Sequence, residues 1–223
     1  MKQYDVILFD LDGTLTDPAE GITKSVEYAL NQYGISVENR EALLPFIGPP
    51  LIDSFMEFYE FSKEQAVEAV EVYREYFRVK GMFENEVYPY VPELLQALKN
   101  QGKTLLVASS KPEEFVKTIL KHFGLLDYFD FVGGAAMDET RTKKEDVLRY
   151  VFAEANVTDL QKAIMVGDRK FDVEGAHAFG MDAIAVTYGY GSREELTAAR
   201  PEYLADSPEE VETVLLSFPE KRK

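Results

Sequence analysis

The strongest constraint on the fold is a pattern that occurs four times, in which a short apolar run ends directly in a polar loop. The runs are YDVILF before DLDGT, TLLVA before SSKP, AIMV before GDRKFD and AIAV before TYGYG, at residues 4–9, 104–108, 163–166 and 183–186. Near-continuous apolar runs of this length are typical of strands that are buried on both faces of a parallel sheet. A weaker strand is expected at residues 130–132.

Segments with helical character separate these predicted strands, at residues 92–100, 112–123, 144–155 and 173–179. Strands that alternate with helices indicate a parallel sheet that is covered by helices. The sequence therefore predicts an α/β fold whose core is a Rossmann-like parallel sheet.

One long stretch, residues 18–82, interrupts the alternation and contains no clear buried strand. It shows helical patterns at residues 19–33, 38–44, 51–59 and 63–79, which are separated by proline and glycine, as in Gly-Pro-Pro at 48–50. We therefore expect two domains, namely a discontinuous catalytic core of residues 1–15 and 86–223 and an inserted all-helical cap of residues 16–85.

The amino-acid composition argues against two classes of binding partner, nucleic acids and membranes. The net charge of −16 argues against nucleic acid, because phosphate backbones are bound by basic surfaces. No apolar run approaches the roughly 20 residues of a membrane span, so a membrane is not expected as a partner. The chain has no cysteine, which excludes disulfides and thiolate metal sites. With no signal-peptide pattern in MKQYDVILFD, a cytoplasmic location fits, and no pattern specifies an oligomeric state.

Four aspartates follow two of the predicted strands, in the position where parallel α/β sheets bind ligands. Asp10 and Asp12 are two residues apart after the first strand and point to the same side if the segment is extended. Asp168 follows a later strand, and Asp172 comes one helical turn after it. An isolated Asp-Gly pair would indicate a turn or a cap. Two carboxylate clusters after buried strands instead favour a Mg²⁺ site, because the charges repel unless a cation lies between them.

These motifs resemble those of the haloacid dehalogenase superfamily of phosphohydrolases. DLDGT at residues 10–14 is similar to the first motif of that superfamily, and GDRKFD at residues 167–172 is similar to the fourth. Ser109 in VASSKP matches the second motif, and Lys144 in TRTKKEDVL matches the third. The resemblance covers nearly the whole chain, and the helical insertion resembles the cap of the phosphoglycolate phosphatase-like branch.

The resemblance implies a phosphatase that acts on a small phosphorylated metabolite. Asp10 would be the nucleophile that forms an aspartyl phosphate, and Asp12 would protonate the leaving oxygen and then deprotonate water. Ser109 and Lys144 would bind the phosphoryl oxygens during the transfer.

The same resemblance implies Mg²⁺ as the cofactor. The ion would be held by Asp10, by the backbone carbonyl of Asp12 and by Asp168. Asp172 would act through a water molecule or by orienting Lys144.

Three assignments within the motifs stay open. Lys143 competes with Lys144, and only one of them can face the site, since adjacent helical side chains point about 100° apart. Ser110 competes with Ser109. Lys111 is either a phosphate contact or an exposed cation.

Several reactions compete with hydrolysis of a phosphomonoester. Asp12 argues against a dehalogenase, which typically lacks the second aspartate of the first motif. It also argues against a phosphonate hydrolase, which departs from the motif at the same position. A phosphomutase and a pyrophosphatase stay open, whereas the complete set of motifs disfavours a non-enzymatic phospholigand-binding protein. The substrate stays open among phosphoglycolate, a nucleoside 5′-monophosphate, pyrophosphate and a small sugar phosphate.

The cap is expected to set substrate choice and to gate access, because the sheet edge offers little to recognise the rest of the substrate. Lys24, one turn into the first cap helix, and the loop at Gly48 are predicted to face the leaving group. The alternative is that Lys24 is an exposed lysine and that Gly-Pro-Pro only marks a helix boundary.

Overall fold

The computed structural model describes residues 2–138 and 140–216, which form two compact units. One unit contains the described residues up to Leu15 and those from Val87 onward, and the other contains Thr16–Glu86. The second boundary expected from the sequence, between residues 85 and 86, lies one residue before the boundary between the units.

Six parallel strands form the sheet of the first unit, in the order β5-β4-β1-β6-β7-β8. The strands of the chain are β1 (Val6–Phe9), β2 (Thr16–Asp17), β3 (Glu86–Val87), β4 (Thr104–Pro112), β5 (Phe131–Ala135), β6 (Ala163–Gly167), β7 (Asp182–Val186) and β8 (Tyr203–Ala205). The short strands β2 and β3 pair with each other, where the chain passes from the first unit to the second and back. The parallel sheet confirms the predicted α/β fold class.

Six helices accompany the sheet in the described part of the first unit. They are α4 (Val91–Asn100), α5 (Glu113–His122), α6 (Lys144–Glu154), α7 (Lys170–Ala178), α8 (Arg193–Ala199) and α9 (Pro208–Leu216). On one face of the sheet, Leu8 and Met165 pack with Val147 of α6 and Val173 of α7, and all four side chains are fully buried. This packing fixes the N-terminal ends of α6 and α7 relative to the strands, and both helices carry predicted site residues.

The end of the first unit contains elements that were not predicted. The strand β8 has only three residues, and Leu204 in its middle is exposed, so the segment lacks the apolar run that marks the other strands. It is a strand because it pairs with the edge of β7. The helices α8 and α9, which are seven and nine residues long, were not predicted either.

The second unit is helical, with α1 (Ala19–Gln32), α2 (Leu51–Tyr59) and α3 (Lys63–Tyr76). The helix predicted at residues 38–44 is a 3₁₀ segment, Arg40–Phe46. It contains Pro45, whose nitrogen carries no hydrogen and cannot donate a helical hydrogen bond. The helix predicted at residues 63–79 ends at Tyr76 and continues as a π-helical turn, Phe77–Gly81. No helix among the described residues has the length and apolar character needed to cross a membrane.

Candidate active site

The strands at the centre of the sheet carry the predicted site residues at their carboxyl ends. β1 lies between β4 and β6 and is parallel to both. Asp10 follows β1, Ser109 lies near the end of β4, and Asp168 follows β6. Residues that are far apart in the sequence therefore meet at one edge of the sheet, as parallel α/β topology requires.

The turn after β1 is held in a conformation that needs glycine. The backbone amide of Asp10 donates a hydrogen bond to the carbonyl of Val166, at 2.9 Å, which ties the turn to β6. Gly13 has a φ of 76°, and a Cβ atom at this position would lie 2.1 Å from Oδ2 of Asp168. The glycine of DLDGT thus allows the first aspartate motif to lie directly against Asp168.

Lys144, at the start of α6, lies among the carboxylates of the site. Its Nζ is 3.2 Å from Oδ1 of Asp10 and 2.6 Å from Oδ1 of Asp172, and it donates a hydrogen bond to the carbonyl of Ala108. Burial acts to lower the pKa of Lys144, but the two carboxylates outweigh it and the pKa is raised. The neighbouring Lys143 is exposed, so Lys144 is the lysine of the pair that contacts the motif aspartates.

Lys111, which the sequence left open, is buried beside the second motif aspartate. Its Nζ is 2.5 Å from Oδ2 of Asp12, and its side chain is only 6% exposed. Burial raises the pKa of Asp12, and the ammonium of Lys111 acts in the opposite direction. Asp10 and Asp12 therefore each contact a lysine of their own. No motif in the sequence marks Lys111, because the contact depends on how the end of β4 is placed beside the turn after β1.

Ser109 is buried in the second half of β4, where the pairing with β5 shifts register between Ala108 and Pro112. Its Oγ accepts a hydrogen bond from the backbone amide of Lys111 at 3.3 Å. Ser110, its competitor in the sequence, is only partly buried. A hydroxyl that accepts this hydrogen bond can still donate its own proton to another group.

Three buried aspartates could hold a metal ion, since carboxylate oxygens of Asp10, Asp168 and Asp172 lie within 4.8 Å of one another. Oδ1 of Asp168 accepts no hydrogen bond from the described residues, and neither does Oδ1 of Asp12. Burial, followed by the charges of Asp172 and Asp10, raises the pKa of Asp168 well above its usual value. Burial also raises the pKa of Asp172, to about 6, against the effect of Lys144. Buried carboxylate oxygens without donors fit a hard divalent cation.

The predicted ligand set and the side-chain cluster share Asp10 and Asp168 but differ in the third member. The prediction used the backbone carbonyl of Asp12, whereas the cluster of side chains includes Asp172. Asp172 also accepts a hydrogen bond from the backbone amide of Arg169, at 3.1 Å, and its other oxygen contacts Lys144.

The loop after β7 contributes to the site, although no role was predicted for it. The backbone amide of Tyr190 donates a hydrogen bond to Oδ2 of Asp168 at 2.7 Å. A Cβ atom on Gly189 would lie 2.4 Å from the Cβ of Asp168. In the sequence, the only sign of this loop is the pair of glycines in TYGYG after a buried strand. The sequence does not show that these glycines lie against Asp168.

The two tentative substrate residues, Lys24 and Gly48, belong to the second unit. The Nζ of Lys24 is 2.6 Å from a carboxylate oxygen of Glu20 and 2.7 Å from one of Glu84. These hydrogen bonds raise the pKa of Lys24. Gly48 has a φ of 106° in the loop before α2, a conformation that favours glycine.

Comparison with known proteins places these features in a family context. The sequence model of a family described as haloacid dehalogenase-like hydrolase matches residues 7–186. A 5′-nucleotidase from Pseudomonas aeruginosa is 47% identical over 92% of this chain and 92% of its own length. A phosphoglycolate phosphatase from Vibrio vulnificus is 30% identical over 96% of this chain and 97% of its own. The crystal structure of a predicted phosphatase from Clostridium acetobutylicum has a TM-score of 0.94 and 50% identity, over 97% of this chain and 100% of that chain.

Proposed function

The chain belongs to the haloacid dehalogenase-like hydrolase family and is a phosphatase, and on this premise we propose that it hydrolyses small phosphomonoesters through a phosphorylated Asp10. The observation that carries the proposal is the pairing of two buried aspartates with two buried lysines. Asp10 contacts Lys144, and Asp12 contacts Lys111. Two neighbouring carboxylates with separate counter-charges can take the separate roles of nucleophile and acid.

The first half of the proposed reaction transfers the phosphoryl group to the protein. A carboxylate oxygen of Asp10 forms a bond to phosphorus, the bond from phosphorus to the ester oxygen breaks, and Asp12 gives a proton to that oxygen. Ser109 donates a hydrogen bond to a phosphoryl oxygen. Lys144, whose Nζ is already 3.2 Å from Asp10, supplies positive charge to the equatorial oxygens.

The second half releases phosphate. Asp12, now ionised, removes a proton from water as the water oxygen bonds to phosphorus. The bond between phosphorus and Asp10 breaks, and the carboxylate of Asp10 is regenerated. Asp12 again carries a proton, so the protein returns to its starting state and one water molecule is consumed for each ester bond.

The residues that would hold Mg²⁺ are Asp10, the backbone carbonyl of Asp12, and Asp168, with Asp172 acting through water or by orienting Lys144. This set is supported by Oδ1 of Asp168, which is buried and accepts no hydrogen bond from the described residues. Mg²⁺ bound there would supply positive charge against the repulsion between the carboxylate nucleophile and the phosphate.

We propose a nucleoside 5′-monophosphate or a phosphoglycolate-like ester as the substrate, which the names of the two relatives support. We also propose that the helical unit, Thr16–Glu86, sets the choice between them. The residues proposed for the phosphoryl chemistry all belong to the first unit, and they act on the phosphate that every candidate substrate shares.

The function is tested by a panel of phosphomonoesters, assayed for phosphate release with Mg²⁺ and after removal of metal with EDTA. We expect release that is lost on chelation and restored by Mg²⁺. Asp10→Asn should reduce kcat by at least about 10³-fold, because an amide of the same shape is a poor nucleophile. Near wild-type kcat in Asp10→Asn would refute the assignment of the nucleophile, and isomerised product without phosphate release would indicate a mutase.

A further inference from the structure

The two carboxylate oxygens of Asp168 have different surroundings. Oδ2 accepts the hydrogen bond from the backbone amide of Tyr190 at 2.7 Å. Oδ1 is buried and accepts no hydrogen bond from the residues that the structure describes, and the residue as a whole is 1% exposed. A buried carboxylate oxygen without a donor is unfavourable unless a cation binds it. The hydrogen bond from Tyr190 therefore makes the two oxygens of Asp168 inequivalent.

The loop at residues 188–191 lies so close to Asp168 that glycine is required twice. A Cβ atom on Gly189 would lie 2.4 Å from the Cβ of Asp168 and 2.4 Å from the carbonyl oxygen of Gly13. A Cβ atom on Gly191 would lie 2.1 Å from the carbonyl oxygen of Asp168. At such distances the backbone of the loop limits where Asp168 can move.

Tyr188 connects the same loop to the first aspartate motif. Its hydroxyl donates a hydrogen bond to the carbonyl of Thr14 at 3.0 Å, and its ring lies edge-on to that of Tyr88, with the centroids 5.0 Å apart. The loop thus contacts Asp168 on one side and the turn after Asp12 on the other. One segment fixes the relative position of two motifs that are about 150 residues apart in the sequence.

We propose that the loop at residues 188–191 positions Asp168 for the divalent cation, by occupying Oδ2 through the amide of Tyr190 and leaving Oδ1 as the ligand atom. The inference rests on the proposed function, because it assumes that Asp168 holds a cation. Tyr188, Gly189 and Tyr190 are positioning residues, since they act through Asp168 and through the turn after Asp12. Outer contacts of this kind typically change metal affinity by about 10- to 100-fold.

The test is the binding of Mn²⁺ to the full chain, measured by electron paramagnetic resonance without substrate, with Mg²⁺ binding measured by calorimetry. Tyr190→Pro removes the amide donor and fixes φ, and Tyr190→Ala is its control, since it also loses the tyrosine side chain but keeps the donor. Gly189→Ala adds a Cβ atom against Asp168. Its control is Gly124→Ala in the same unit, where the φ of 70° disfavours alanine but an added Cβ meets nothing within 4 Å.

We expect Tyr190→Pro to bind Mn²⁺ about 10-fold more weakly than Tyr190→Ala, and Gly189→Ala to bind it about 10-fold more weakly than Gly124→Ala. Thermal unfolding of the metal-free variants shows whether each one folds. If the proline variant does not fold, Tyr188→Phe decides, because it removes only the hydroxyl that contacts Thr14. The expected weakening is then a few-fold.

The possible outcomes distinguish the positioning role of the loop from the proposed reaction. Folded variants that bind Mn²⁺ as tightly as their controls overturn the role of the loop and leave the proposed reaction intact. A wild-type protein that binds no divalent cation overturns the metal proposal and this inference together. Weaker binding in both test variants, with kcat largely recovered at saturating Mg²⁺, is the result that positioning predicts.

Discussion

At the scale of single residues, Lys144 supplies the positive charge that two buried carboxylates of the site share. Its ammonium contacts Asp10 and Asp172, and the three side chains are between 2% and 8% exposed. Removing one partner of a buried ion pair leaves an uncompensated charge, which costs far more than the loss of an exposed pair. The same lysine is therefore important for folding and, on the proposed mechanism, for phosphoryl transfer.

We predict that Lys144→Met lowers the free energy of unfolding of the metal-free protein by about 3–5 kcal/mol, because two buried carboxylates lose their counter-charge. The control is Lys143→Met at the exposed neighbouring position, which should change stability by less than about 0.5 kcal/mol. Both are measured by chemical denaturation in the presence of EDTA. Equal effects of the two substitutions would contradict the burial and pairing of Lys144.

The proposed acid role of Asp12 predicts a dependence on the leaving group. Asp12→Asn should slow phosphoenzyme formation from an alkyl phosphate far more than from an aryl phosphate, because an aryl oxide departs with little protonation. Single-turnover kinetics with the two esters provide the measurement. Equal losses with both esters would show that Asp12 does not act as the acid.

At the scale of elements, the second unit depends on a close contact between α1 and the π-helical turn after α3. A Cβ atom on Gly21 would lie 1.9 Å from the carbonyl oxygen of Gly81, and the amide of Gly21 donates a hydrogen bond to the carbonyl of Glu84. The two segments therefore approach with backbone against backbone. Gly21 is the third residue of α1, and glycine is otherwise less favourable than alanine in a helix, by up to about 1 kcal/mol.

We predict that Gly21→Ala destabilises the protein, against the helix propensity of alanine, because the turn around Gly81 has to move. Asn31→Ala is the control, since Asn31 is exposed in the same helix and alanine there should be neutral or slightly stabilising. Thermal unfolding compares the two variants. A melting temperature for Gly21→Ala at or above that of the wild type would mean that the close contact is absent.

The ion pairs of Lys24 bear on its proposed contact with the substrate. Its ammonium lies between the carboxylates of Glu20 and Glu84, with 27% of the side chain exposed. Exposed pairs of this kind are worth about 1 kcal/mol or less each. A contact with a substrate would therefore have to replace one of these pairs, and the cost of doing so is small.

We predict that Lys24→Ala lowers kcat/KM for the preferred substrate and has little effect on a small aryl phosphate, because the lysine acts on the part of the substrate that does not react. Lys63→Ala is the control, as it removes an exposed lysine from the same unit. Steady-state kinetics with both substrates decide the question. Losses on both substrates would assign Lys24 to phosphate binding, and losses on neither would leave it a surface lysine.

At the scale of the whole molecule, the sequence predicts the sheet well, because each central strand is an apolar run that ends in a polar loop. It also predicts Asp10 and Asp12 as site residues, since they are two residues apart directly after a strand, and the structure shows both to be buried. The alternation of strands and helices is a local property of the chain, and so the α/β class could be predicted without any knowledge of the packing.

The features that were not predicted depend on contacts between distant segments. The pairing of Lys111 with Asp12 joins positions that are 99 residues apart, and the amide of Tyr190 contacts an aspartate 22 residues earlier. The choice between Lys143 and Lys144 depends on the rotation of α6 about its axis, which the packing of Val147 and Leu148 on the sheet determines. None of these has a short-range pattern of its own.

The stereochemical course at phosphorus shows whether the phosphoryl group passes through the protein on its way to water. A phosphomonoester made chiral at phosphorus with oxygen isotopes and sulfur is hydrolysed in labelled water, and the configuration of the released thiophosphate is determined. Transfer to Asp10 and then to water consists of two in-line displacements, each of which inverts the configuration, so we expect net retention. Net inversion would mean that water attacks the substrate directly, and would contradict a covalent intermediate on Asp10.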